Sequence, residues 1–122
     1  MDYQSVRFWQ HVDHLVATSA VVIDRPAGSA HPRYPAIVYP LDYGYLAGTV
    51  GGDGEGIDIW RGSLPEATVT AAIMTVDIVK RDAEIKLLIG CTADEMQRAL
   101  ATHHTEWQAA VLLPRTSEGT DA

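Results

Sequence analysis

Three acids crowd one glycine-rich stretch. In GGDGEGIDIW, residues 51–60, Asp53, Glu55 and Asp58 stand two and three positions apart among four glycines. Glycines let the chain turn sharply and give other groups close access to the backbone. Carboxylates held at one turn repel each other unless a positive charge lies between them. Hard cations such as Mg²⁺ take such oxygen ligands and keep several waters. The spacing lets all three side chains enter one cavity. A solvated acidic turn is the alternative, and spacing alone leaves both open. The stretch is not an EF-hand loop, because Leu64 stands where that loop needs its bidentate Glu.

Two further groups carry chemistry. In KRDAEIK, residues 80–86, Asp82, Glu84 and Lys86 are two apart, so on an extended chain they share a face. Read blandly, this is an exposed edge with cross-strand ion pairs. Arg25, Arg33, Tyr34, Tyr39, Tyr43 and Tyr45 gather in DRPAGSAHPRYP and YPLDYGY. They are donors suited to phosphate or carboxylate oxygens, Arg bidentately; tyrosines also pack in barrel walls. The remaining candidates say less. His11 and His14 are at i and i+3 and could chelate, whereas the adjacent His103 and His104 face different ways on a helix. Cys91 reads as a small buried hydrophobe, and Trp9, Trp60 and Trp107 as core.

The elements that must position these groups follow from periodicity. SVRFWQHVDHLVATS reads as a first helix, with Phe8, Trp9, Val12, Leu15 and Val16 at helical spacing and Ser5 as N-cap. Short strands follow in AVVID, AIVYP, GYLAGTV and IDIWRGS, punctuated by Gly and Pro as in an all-β barrel. TVTAAIMTVDIVKR and AEIKLLIG pair as a hairpin turning near Asp82. TADEMQRALATHHTEW is a second helix, opened by a Thr92–Glu95 capping box, with Met96, Ala99, Leu100 and His103 on one face. AAVLLPR is a last strand or the tail of that helix, and residues 116–122 read as a disordered end. The fold class is mainly β with flanking helices (α+β): a small five-stranded, OB-like barrel packed by two helices, forming a single domain over residues 1–115.

Composition fits this picture. The chain has 122 residues, enough for one compact domain. Its 47% hydrophobic and 20% charged residues suit a soluble globular protein. No apolar run approaches the roughly 20 residues of a membrane span. The opening MDYQSVRFWQ lacks a signal-peptide pattern, and one cysteine allows no internal disulfide, so the cytoplasm is expected. A net charge of −7 argues against a nucleic-acid partner.

Taken together, YPLDYGYLAGTVGGDGEGIDIW resembles the signature region of the soluble family I inorganic pyrophosphatases. Their hallmark is a YPxxYGY-type stretch followed by an acidic D-x-D-P-x-D loop. Here the two parts are Tyr39-Pro40 through Tyr43-Gly44-Tyr45, and Asp53 through Asp58. The similarity covers roughly residues 20–90. It matches Asp24 to an acidic position and puts Arg33 where a phosphate-binding Lys is usual. Asp82 matches the third principal metal aspartate, Glu84 a further acid and Lys86 a phosphate-binding lysine; a second register pairs Asp77 with Asp82. The resemblance implies Mg²⁺-dependent, or Mn²⁺-dependent, hydrolysis of pyrophosphate to two phosphates by a metal-bridged water. Asp53, Asp58 and Asp82 would hold the metals, with Glu84 and Asp24 as further ligands. Glu55 would accept or orient the water's proton, with Asp53 and Tyr43 beside it in the catalytic group. Arg33, Lys86, Tyr39 and Tyr43 would bind phosphate. A related organic diphosphate is the alternative substrate, a non-catalytic Mg²⁺ and phosphate-binding module the alternative role, and a homo-oligomer the expected assembly. The chain departs from the pattern at Glu55, where Asp is usual, at Gly56, where Pro is usual, and at His104-Thr105, where a Tyr-Lys pair is usual. RYPAIVYP also replaces a hairpin that normally carries a Glu and an Arg.

Overall fold

The structure, a computed structural model, describes residues 3–116. Of the tail expected over 116–122, everything after Thr116 lies outside the described residues. The elements in chain order are α1 (Tyr3–Ala17), β1 (Ala20–Arg25), β2 (Asp42–Ala47), β3 (Ile57–Arg61), β4 (Val69–Asp77), β5 (Asp82–Ile89), α2 (Ala93–Thr102) and β6 (Gln108–Pro114).

The mainly β, two-helix architecture is as expected, but the sheet has six strands and stays open. Its order is β1-β2-β3-β5-β4-β6, with β1 and β6 at the edges. Only β3 and β5 run parallel; the other neighbours are antiparallel. AAVLLPR is a strand rather than a helix tail: as β6 it pairs with β4 from Asp77 to Ala71. The AIVYP strand does not form. Only Val38 pairs there, in an isolated bridge to Ala30. Pro32, Pro35 and Pro40 bracket the segment and cannot donate to a ladder.

Each face of the sheet takes one helix. The inner side of α1 packs Trp9 and Val12 against Leu46, Ile59, Val69, Ala72, Leu87 and Ile89. Phe8 is exposed and Val6 is buried instead. Val6, Trp9 and Val12 step by three and stay on one side, whereas Phe8 is rotated about 100° from Trp9. Ser5 does not cap this helix, which already begins at Tyr3. The opposite face of the sheet packs Trp60, Ala71, Ile73 and Leu88 against Ala99 of α2 and against Tyr39 and Leu41. The capping box of α2 is formed: Glu95 N donates to Thr92 Oγ1 at 3.2 Å and Thr92 N donates to Glu95 Oε1 at 2.9 Å. Ser63 N also donates to that carboxylate, which ties α2 to the end of β3.

Candidate active site

Strand periodicity selects the groups that meet. Tyr43 and Tyr45 of β2 lie opposite Trp60 and Asp58 of β3. Trp60 lies beside Leu88 of β5, and Lys86, Glu84 and Asp82 follow at steps of two. Across β4 these three face Ile73, Thr75 and Asp77, and Asp77 faces Gln108 of β6. All of them therefore project on the α2 side, as the two-residue spacing of Asp82, Glu84 and Lys86 predicts. Gly44 sits between the two tyrosines because β1 crosses close by: a Cβ there would lie 1.8 Å from Val22 O. The face opens into a cavity of about 800 Å³.

The acidic loop leans on β5. A Cβ on Gly52 would lie 2.3 Å from Ala83 O, so only glycine permits this approach. Gly54 takes the left-handed conformation, φ 84°, and its N–H donates to Gly51 O at 3.0 Å. Asp53 Oδ1 accepts the Glu55 N–H at 2.9 Å. That bond holds the Asp53 carboxyl below its usual range. Glu55 and Asp58 line the cavity, whereas Asp53 does not.

At the cavity floor a buried ammonium joins the acids. Lys86 Nζ donates to Asp58 Oδ2 at 2.7 Å, Glu84 Oε2 at 2.8 Å and Tyr43 Oη at 3.0 Å. Tyr43 Oη in turn donates to Asp58 Oδ2 at 2.8 Å. Burial works against the Lys86 charge, yet Tyr43, Asp58 and Glu84 outweigh it and hold its pKa above the ordinary lysine value. Burial raises the Tyr43 pKa, so the phenol keeps its proton. Asp82 is the exception among the three β5 residues. It is absent from the cavity wall and pairs with Lys80 Nζ at 3.4 Å near the hairpin turn. Asp77 does line the cavity, with Oδ1 accepting the N–H groups of Val79 and Lys80.

Cations and rings form the rim. Asp24, Arg25, Arg33, Tyr39 and Lys80 line the cavity. His103 lines it too, although its sequence position suggested only a helix face. Its Nε2 accepts Trp60 Nε1–H at 3.0 Å, which puts the proton on Nδ1, 3.1 Å from Gln108 Oε1. Burial lowers its pKa to about 4. Trp9 and Trp60 are core as expected, Trp60 also backing the cavity, but Trp107 is only partly buried and lies on the cavity wall. Lys80 had one legible signal, its place in an alternating charge run. His31, Trp107 and Gln108 had none, because loop closure brings in His31 and Trp107, and the pairing of β6 with β4 brings in Gln108. His11 and His14 sit on the exposed side of α1 and Cys91 is buried, all away from the cavity wall.

The donor chemistry suits a hard divalent cation. Asp53, Asp58 and Glu84 offer only oxygens. Glu84 Oε1 is buried without a hydrogen-bond partner, with Lys80 Nζ 3.9 Å away, and the hydroxyl of its cross-strand neighbour Thr75 is likewise buried and unpartnered. Such orphaned acceptors are costly unless something positive or hydrogen-bonding reaches them. Among the described residues no three His, Cys, Asp or Glu side chains already converge on one point; Lys86 bridges two of the acids instead.

No protein-family model matches the chain, and no curated protein is detectably similar in sequence. Solved structures are similar in fold. An inorganic pyrophosphatase from Helicobacter pylori aligns with a TM-score of 0.61 and 16% identity, over 82% of this chain and 86% of that one. One from Neisseria gonorrhoeae gives 0.62 and 15%, over 83% and 84%, and one from Coxiella burnetii 0.60 and 13%, over 82% and 86%. The chain shares the fold of these proteins.

Proposed function

We propose that this chain hydrolyses the phosphoanhydride bond of pyrophosphate, with Mg²⁺ or Mn²⁺ as cofactor. The observation that carries the reading is the buried Glu84 Oε1 that lacks a partner, on a carboxylate joined to Asp58 through Lys86 Nζ, in a cavity rimmed by Arg25, Arg33 and Lys80. The shared fold with solved inorganic pyrophosphatases supports it. Bound at those acids, the metal supplies charge that neutralises the diphosphate and makes water a stronger nucleophile. Asp53, Asp58 and Glu84 hold it, and Asp82 and Asp24 are outlying acids of the set. Glu55, exposed on the cavity wall, takes the proton of the attacking water. Arg33, Arg25 and Tyr39 bind phosphate oxygens, while Lys86, whose three N–H groups go to Asp58, Glu84 and Tyr43, adds positive charge from the cavity floor, and the protonated Tyr43 fixes Asp58 and Lys86 in place. The net charge of −7 disfavours nucleic acid. No described helix is long and apolar enough to cross a membrane. A cytoplasmic homo-oligomer completes the reading; the buried free thiol of Cys91 suits a reducing compartment.

One observation favours a second reading, a binding module without turnover. Lys86 already neutralises Asp58 and Glu84, two acids the cation would use. The deciding experiment is phosphate release from pyrophosphate with Mg²⁺, with Mn²⁺ and with EDTA, for the wild type and Asp58→Asn. Metal-dependent release that Asp58→Asn abolishes is expected. No release from pyrophosphate or from organic diphosphates at high protein concentration, with Mg²⁺ still bound in calorimetry, would establish the binding module.

A further inference from the structure

Pyrophosphate has no apolar atom and no ring, yet a row of rings lines this cavity. Tyr39 stacks on Tyr43 with centroids 5.3 Å apart and planes 29° apart. His31 stacks on Tyr39 at 6.1 Å and 12°, Tyr34 meets His31 at 5.2 Å, and Trp107 meets Tyr34 at 5.4 Å. The row thus runs from the phenol that touches Asp58 out to a ring pair beyond the acids. That outer pair is not core: Tyr34 is 39% exposed, and Trp107 is only partly buried. Arg33 lies beside it, its Cζ 6.0 Å from the Tyr34 ring centre. His31 Nδ1 accepts the N–H groups of Arg33 and Tyr34, so the loop that carries the cation and the ring is held as one unit. The cavity volume, about 800 Å³, falls among sites for drug-sized ligands.

From this row we infer that the cavity takes a diphosphate bearing a planar aromatic group, a nucleoside diphosphate, with the base against Tyr34 and Trp107 and the diphosphate between Arg33 and the acids. The inference rests on the diphosphate reading above and extends its substrate class. Partly exposed rings beside a guanidinium are how proteins hold bases without reading their edges. In the corresponding hydrolysis, the oxygen of water bonds to the terminal phosphorus. The bridging P–O bond breaks, its electron pair stays with the nucleoside monophosphate, and phosphate and one proton are released.

The test compares two non-hydrolysable probes by calorimetry in Mg²⁺: methylenediphosphonate and the α,β-methylene analogue of adenosine diphosphate. The nucleotide probe should bind about tenfold more tightly. Tyr34→Leu and Trp107→Leu, which keep apolar bulk but remove the ring, should each weaken it about tenfold while leaving methylenediphosphonate within about twofold. Retained methylenediphosphonate binding shows that each variant is folded at the site. Equal affinity of the wild type for the two probes, or an equal loss of both in the variants, overturns the inference alone. Failure of the wild type to bind either probe overturns the diphosphate reading and this inference with it.

Discussion

The two faces of the sheet are cut from the same strands and spend their burial differently. Under α1 the packed residues are Trp9, Val12, Leu46, Ile59, Val69, Ala72, Leu87 and Ile89, all without charge. One residue along the same strands, the other face carries Asp58, Glu84, Lys86, Thr75 and Asp77, of which Thr75, Asp77 and Lys86 are buried. Buried charge and unpartnered hydroxyls cost stability that apolar residues of similar size would not. The α1 face is therefore apolar throughout its packed cluster, whereas the α2 face joins a packed cluster of its own to costly groups at the end of the sheet where the cavity opens. A residue slip in any one strand would exchange the two roles, so the dry face also fixes the register that the site depends on.

The largest expected effect breaks the site face without touching the other. Asp58→Asn removes the carboxylate shared by Tyr43, Lys86 and the metal set, and should lower phosphate release about 10³-fold or more while far-UV circular dichroism stays native. Wild-type turnover in this variant would sink the assignment of Asp58. Lys86→Met comes next. It leaves the carboxylates of Asp58 and Glu84 without the ammonium that pairs them, and breaking a buried pair costs about 3–5 kcal/mol. The variant should melt lower without metal and gain more from added Mg²⁺ than the wild type does, because the cation then replaces the missing charge. Equal metal-induced shifts in thermal melting would mean that these acids are not the metal's ligands.

Much of this arrangement was legible in the sequence. The capping box of α2, the hairpin and the shared face of Asp82, Glu84 and Lys86 followed from local rules, and local contacts satisfy them. What stayed hidden depends on contacts far along the chain. Asp82 obeys the same alternation as Glu84, yet it lies at the hairpin end, where Lys80 reaches it. Trp107 and His103 read as core and helix face, but the loop after α2 delivers them to the cavity wall. AIVYP read as a strand from its apolar run, but between Pro35 and Pro40 its N–H groups go to local turns, Ile37 to Tyr34 O and Tyr39 to Ser29 O, and only an isolated bridge forms. The openness of the sheet was not readable either, because closure depends on how β1 and β6 are placed and not on either strand's own residues.

On the dry face, Leu87→Ala should cost about 2–5 kcal/mol, since the 2% exposed side chain leaves a cavity that its neighbours cannot fill. Urea unfolding measures it, and phosphate release well below the melting temperature should stay near that of the wild type. A large kinetic loss in the folded variant would show that the two faces are not separable.

The last test is a pH dependence that only the site face can produce. His103 is buried neutral, with its pKa lowered from 6.5 to about 4 by burial. Its unfolded form takes up a proton first as pH falls, so its contribution is complete above the unfolded value and is lost between that value and the folded one. The whole contribution is about 3 kcal/mol, of which about 2 kcal/mol disappears between pH 7 and pH 5. Protonation would place an N–H on Nε2 facing the indole N–H of Trp60, which is fully buried, so the loss falls on the packing around Trp60. Gln in place of His103 can still accept from Trp60 but does not titrate. Urea unfolding of His103→Gln and the wild type at the two pH values should therefore show a smaller drop in the variant. The packed cluster under α1 has no titratable group, so it cannot supply the difference. Identical drops would mean that His103 is already charged in the fold or gains its proton without cost, and the neutral bridge from Trp60 to Gln108 would be wrong.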